Sequence, residues 1–234
     1  MTSGTGSCSV IANQAGNGNY AAATQVTETT TAILATSSTA VASSANPSVY
    51  SQSVTLTATI SGQYGQVKGR KGQAKPQNVS GTVTWSGNTG CGTTAVTSGT
   101  PGVATCTTSS LALGTDTITA TYSGDSNHNG SSSTLNGGQV VSQASTNVTV
   151  GSSLNPSTYG QAVSFTANVA AVAPAGGTPT GTVQFTIDGG NFGSPVTLAS
   201  GSATSGSTST LAEGTHTITA VYSGATNYAT STGT

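Results

Sequence analysis

The sequence predicts an all-β chain built as two tandem β-sandwiches, and three observations carry that prediction. The first is a repeat. Leu111–Asn127 reads LALGTDTITATYSGDSN and Leu211–Asn227 reads LAEGTHTITAVYSGATN, one hundred residues apart with most positions identical. Self-similarity at a fixed offset marks one structural unit used twice. The second is a period of two: Ile118, Ala120 and Tyr122, like Ile218, Ala220 and Tyr222, alternate mostly with threonines. That is the signature of a half-buried strand, apolar inward and hydroxyl outward. The third is punctuation, since Asn46-Pro47-Ser48 and Asn155-Pro156-Ser157, with glycines throughout, cut the chain into short segments.

Residues 1–35 form no repeat of their own. Ala15–Thr24 (AGNGNYAAAT) resembles Ser123–Thr134 (SGDSNHNGSSST), which follows the penultimate strand of the complete copy. The segment is therefore expected to be the last strands of a preceding repeat, with Cys8 separated from a partner upstream. The residues after Met1 (TSGTGS) lack the basic start and apolar stretch of a signal peptide, so the beginning is expected to be an excision.

The first complete repeat is expected over residues 36–143. It opens with a short strand near Thr39–Ala42 and turns at Asn46-Pro47-Ser48. Val54, Leu56, Ala58 and Ile60 then alternate with threonines as an inward-facing strand. A polar, Gly-rich stretch leads to Gly81–Trp85 (GTVTW), where Val83 and Trp85 share a face and Trp85 is the natural centre of the core. A hairpin carrying Cys91 and Cys106 follows, then the Leu111–Asn127 signature, then a closing strand over Gly138–Ser142.

The second repeat, residues 144–234, retraces these steps. Val163, Phe165, Ala167 and Val169 replace the inward set, Gly181–Phe185 (GTVQF) replaces the tryptophan strand, and Phe185 stands for Trp85. From the Asn-Pro turn to the signature, copy one takes 65 residues (46 to 111) and copy two 56 (155 to 211). Copy one thus carries an insertion of nine, near Gln63–Asn78. Copy two lacks the cysteines, and its closing strand is expected to be short or missing. Tyr122 and Tyr222 complete the predicted core set.

Seven or so short strands per hundred residues, with an aromatic on the third and a tyrosine late in the sixth, describe an immunoglobulin-like sandwich. The strings NPSVYSQSVTLTATISG, GTVTW, CGTTAVTSGTPGVATC and LALGTDTITATYSGDSNH resemble the bacterial Ig-like repeats found in tandem in large surface and secreted proteins. CSVIANQAGNGNYAAAT resembles the tail of the same repeat. The resemblance implies extracellular placement and a role as stalk, spacer or adhesive module, with no catalytic residues to carry over.

Composition narrows the rest. Charged residues are 4% and the net charge is −1, so the surface must be covered by Ser, Thr, Asn, Gln and Gly. No basic field attracts nucleic acid or anionic lipid, and little repulsion opposes self-association. No apolar run reaches the length of a membrane span.

Cys91 and Cys106 lie on either side of one short polar segment, as the two sides of a hairpin would. The spacing suits a disulfide, and two reduced, partly buried thiols are the alternative. A bridge closing a loop of ~15 residues contributes on the order of 3 kcal/mol and implies an oxidising compartment.

Few residues offer chemistry. His128 and His216 belong to different repeats, and no Ser-His-Asp set, Cys-His cluster or carboxylate pair assembles within one copy. No cofactor is expected. Asp125, Asn127, Asn129 and Gly130 spell D-x-N-x-N-G, the first half of a calcium loop, but Asn136 stands where a bidentate Glu is needed. A tight turn between the last two strands explains the same residues.

Lys68, Arg70, Lys71 and Lys75, all the basic residues of the chain, cluster in KGRKGQAK. The cluster is a candidate contact for an anionic glycan, cell-wall polymer or acidic partner, and a solvated loop is the bland alternative. Three functions follow: a passive extracellular spacer or adhesion repeat; a subunit that passes its N-terminal strands into the last domain of the next chain; and a binding module using the basic loop.

Overall fold

The computed structural model describes residues 5–63 and 78–234, and every regular element in them is a β-strand. The insertion and its four basic residues lie outside the described residues.

Strands β1 (Gly6–Ala12) and β2 (Val26–Ala32) form an antiparallel hairpin that runs from Gly6 opposite Ala32 to Ala12 opposite Val26. Its side chains are exposed on both faces, Val10, Ile11 and Val26 among them. In the first repeat, β3 (Thr36–Ser43), β5 (Val54–Gln63) and β8 (Gly102–Thr108) make one sheet in the order β3-β5-β8. The facing sheet has the order β11-β10-β6-β7, from β6 (Thr82–Ser86), β7 (Thr93–Ala95), β10 (Thr119–Tyr122) and β11 (Ser131–Thr134).

Three short strands form a further sheet, β4 (Ser48–Val49), β9 (Gly114–Asp116) and β12 (Gln139–Ser142), with β12 in the middle. It runs parallel to β4 and antiparallel to β9.

The second repeat pairs β13 (Thr146–Ser152), β14 (Phe165–Ala171) and β17 (Ser202–Thr204) in one sheet. Its other sheet, ordered β16-β15-β18-β19, contains β15 (Thr182–Ile187), β16 (Gly190–Thr197), β18 (Ile218–Tyr222) and the three-residue β19 (Ser231–Gly233). By contacts the chain divides into two compact units. One is Met1–Ser44, Thr55–Cys106 and Thr117–Gly137; the other is Ala45–Val54, Thr107–Asp116 and Gly138–Thr234. The β4-β12-β9 sheet belongs to the second.

Alternation in sequence becomes alternation in burial. Leu56, Ala58 and Ile60 are sealed, while the threonines between them are only partly covered. Val83 and Trp85 face the same interior from β6, and Ile118, Ala120 and Tyr122 meet them from the paired strand. Each large aliphatic side chain so buried contributes roughly 1.5–3 kcal/mol. Trp85 donates its indole N–H to Thr94 Oγ1 at 2.8 Å, which satisfies its one polar atom. In the second core Phe185 holds the place of Trp85, beside Phe165, Val183, Ala220 and Tyr222. Phenylalanine needs no acceptor there.

One glycine in each copy is required by the backbone. Gly81 and Gly181 open the GTVTW and GTVQF strands at φ of 99° and 112°, a region that L side chains rarely adopt. A Cβ at either would also drive into the carbonyl oxygen of Gly124 or Gly224. Gly181→Ala is therefore expected to destabilise the second sandwich by about 2 kcal/mol. Substitution at Gly206, where a Cβ meets nothing, is expected to leave the melting temperature almost unchanged. Thermal unfolding of the two variants checks this.

Candidate functional site

Asp125 sits in the turn between β10 and β11, and its carboxylate is engaged on every side. Oδ1 accepts from the backbone N–H of Asn127 and of His128, each at 2.8 Å, and contacts His128 Nδ1 at 2.9 Å. Oδ2 accepts from the backbone N–H of Ser80 at 2.9 Å and from its hydroxyl at 3.3 Å. Asn129 directs its carboxamide at the carbonyl of Leu34. The D-x-N-x-N-G motif is thus an aspartate-capped turn whose oxygens are spent on protein donors. Among the described residues no three His, Cys, Asp or Glu side chains gather as metal ligands.

Burial disfavours the Asp125 anion, but the donated hydrogen bonds of Ser80 and Asn127, with His128 and Tyr122 beside it, outweigh burial. They hold its pKa well below the usual carboxylate range. Burial, reinforced by that carboxylate, pushes the Tyr122 hydroxyl above its ordinary value.

His128, which the repeat places opposite Tyr228, is fully buried, as Tyr228 nearly is. Each stands at a joint where the chain enters a repeat. Ala35 donates to Asn127 O and accepts from Asn129 N, and Ala144 donates to Asn227 O and accepts from Ala229 N. Nothing in the period-two pattern announces a buried histidine here; the matching tyrosine at an offset of one hundred is the signal that could have.

The structure joins Cys91 to Cys106 in a disulfide with Cα atoms 5.8 Å apart, and Cys8 is free. The expected hairpin between them is corrected by the pairing. Thr97 bridges Val103, but β7 stays with β6 while β8 crosses to the facing sheet beside β5. The disulfide therefore ties the two sheets of the sandwich together. In copy two Phe165 and Phe192, on opposite sheets, meet edge to face with ring centroids 6.1 Å apart.

The second repeat presents a groove of about 610 Å³, walled by Asn155–Gln161 on one side and Leu211–His216 on the other, with Val163 and Phe165 at its base. Tyr159 beside it is 81% exposed. His216 Nδ1 lies 2.6 Å from Asp188 Oδ2 at its end, and that carboxylate, followed by the Ala212 carbonyl, draws the imidazole pKa upward. The sequence reading did not identify this groove, because it depends on which segments pair.

Two predictions follow from these contacts. Reducing the Cys91–Cys106 bridge, or replacing both cysteines by Ser, is expected to lower the stability of the first sandwich by about 3 kcal/mol and to leave the second transition in place, as calorimetry with and without reductant reads. For Asp125 the folded pKa is depressed. Its stabilisation is complete above the unfolded carboxylate value near 4 and is lost as pH falls through the folded value. The first sandwich should soften steadily on acidification below pH ~4. Asp125→Asn should cost about 2 kcal/mol at neutral pH and flatten that acid dependence in denaturant titrations.

A model of the bacterial Ig-like domain (group 3) matches residues 41–151 and again 141–234. Among curated proteins none matches. A solved structure described as the Yersinia pseudotuberculosis adhesin InvE is similar at 15% identity and a TM-score of 0.34, over 83% of this chain and 57% of that one. This chain therefore spans little more than half the length of that structure. The two family matches, which fall on the two sandwiches in turn, establish that the chain belongs to the bacterial Ig-like domain (group 3) family.

Proposed function

We propose that the chain is an extracellular structural repeat of a bacterial surface protein, acting as a stalk or spacer in an adhesion apparatus. The functional units are the repeats over 36–143 and 144–234, preceded by the closing strands of another over 1–35. The observation that carries this reading is the reproduced joint. The same pair of backbone hydrogen bonds docks Ala35 onto the turn at Asn127–Asn129 and Ala144 onto the turn at Asn227–Ala229. A module that docks its entering chain in the same way each time suits stacking in series. The disulfide supports an oxidising location, and the nearly uncharged surface supports a passive one. No helix of the described residues is long and apolar enough to cross a membrane.

A second reading, a subunit polymerising by strand exchange, draws on the β1–β2 hairpin. Two strands alone are marginally stable, and this pair exposes Val10, Ile11 and Val26. Deleting residues 1–30 would abolish polymers if the hairpin makes them.

Sedimentation velocity and retention on glycan and anionic-polymer matrices test the spacer. The expected result is a monomer that is not retained. Retention that disappears when Lys68, Arg70, Lys71 and Lys75 are all changed to Gln would replace the spacer by a binding module.

A further inference from the structure

We infer that the first repeat is built to resist tension, and that the element resisting it is the parallel contact between β4 and β12, reinforced by the side chains of Asn46 and Gln139. Its purpose rests on the stalk reading, because a stalk transmits pull, whereas the contact is a property of the fold and is tested without that reading.

Chain direction decides how a pull is felt. Tension along the chain draws β4 back toward its N-terminal side and β12 forward toward its C-terminal side. The two strands run parallel, with Val141 opposite Ser48 and Ser142 opposite Val49, so these opposed pulls act along one shared axis. The evenly spaced bonds of a parallel ladder are then loaded together, in shear. Antiparallel strands in the same two positions would be drawn from a common end and would open one bond at a time. Should β3 slide off β5, with which it pairs over 8 residues, the pull falls directly on β4.

The contact extends beyond its two-residue ladder. Pro47 has no N–H to offer β12, and the carboxamide of Asn46 stands in for backbone as a clamp, donating to Gly138 O at 2.7 Å and accepting from Val140 N at 2.9 Å. At the other end Tyr50 N donates to Ser142 O at 2.8 Å. Between them Gln139 donates Nε2 to Ala45 O at 2.8 Å and to Ser48 Oγ at 3.1 Å. Hydrogen bonds thus join residues 45–50 to residues 138–142 along the length of both segments.

Burial strengthens them. Gln139 is fully buried, Ser48 and Val141 nearly so, and Gly138 is buried beside them. These bonds therefore lie away from water, where a hydrogen bond is stronger and no outside donor competes for it. On its other edge β12 pairs with β9, Val140 opposite Thr115 and Gln139 opposite Asp116, so the strand is held from both sides. Gly138 permits the close fit: its φ is 71°, and a Cβ there would strike Asp116 O.

The test is single-molecule force spectroscopy of the full chain, tethered at its two ends and held at constant load. The Cys91–Cys106 bridge identifies the step that belongs to the first repeat, because reductant lengthens that step by the 15-residue separation of the cysteines, about 50 Å. Asn46→Ala, at an exposed residue, is expected to shorten the lifetime of this step about tenfold through two lost hydrogen bonds. Thr94→Ala removes the acceptor of the Trp85 indole in a sheet that contains neither β4 nor β12. It is expected to lower the melting temperature and to leave the lifetime under load nearly unchanged. A lifetime indifferent to Asn46→Ala, or one that both variants shorten in proportion to their loss of melting temperature, overturns the proposal. Retention on glycan or polymer matrices is read separately from these lifetimes, so loss of the stalk reading and loss of the clamp are distinct results.

Discussion

A β-strand exists by virtue of its neighbour, and the architecture of this chain depends on where neighbours are supplied. The backbone of 48–49 or 114–116 has no ladder until β12 enters between them. The corresponding residues 157–158 and 214–216 have none. Backbone N–H and C=O groups must find partners or remain in water. The first repeat pairs them through β12.

The two copies meet the same packing demand by different means. Trp85 needs Thr94 to satisfy its indole, and Phe185 fills the equivalent place without a partner. A covalent tie between sheets in copy one corresponds to an edge-to-face aromatic contact in copy two. At the joint, a buried His128 held by Asp125 corresponds to Tyr228, whose hydroxyl donates to Gly176 O at 3.2 Å. Tyr228 also packs edge-on against Tyr50, with ring centroids 5.6 Å apart. The sandwich tolerates these exchanges because it requires volume and satisfied polar atoms at these sites, not a particular side chain.

Much of this was legible in sequence, for reasons that are local. The inward faces of β5, β6 and β18 could be read because side-chain direction in a strand has a period of two. The turn at Asp125 could be weighed against a cation loop by its missing twelfth ligand, and the carboxylate is occupied by its own turn and by Ser80. The pairing of Cys91 with Cys106 could be read from their spacing. That the bridge crosses sheets could not, because a hairpin and a sheet-switching connection share the same turn residues. The burial of His128, the clamp at Asn46 and the groove beside Asn155 are non-local as well. They arise from segments that lie from about fifty to more than ninety residues apart in the chain, which no window of sequence compares.

Amide hydrogen exchange along the two equivalent segments tests most directly the claim that closure by β12 creates the strands around it. Protection across Gly114–Asp116 and Gln139–Ser142, with near-free exchange across Gly214–His216, is the predicted result. Equal protection of 114–116 and 214–216 would contradict it, because these strands would then form without a closing neighbour.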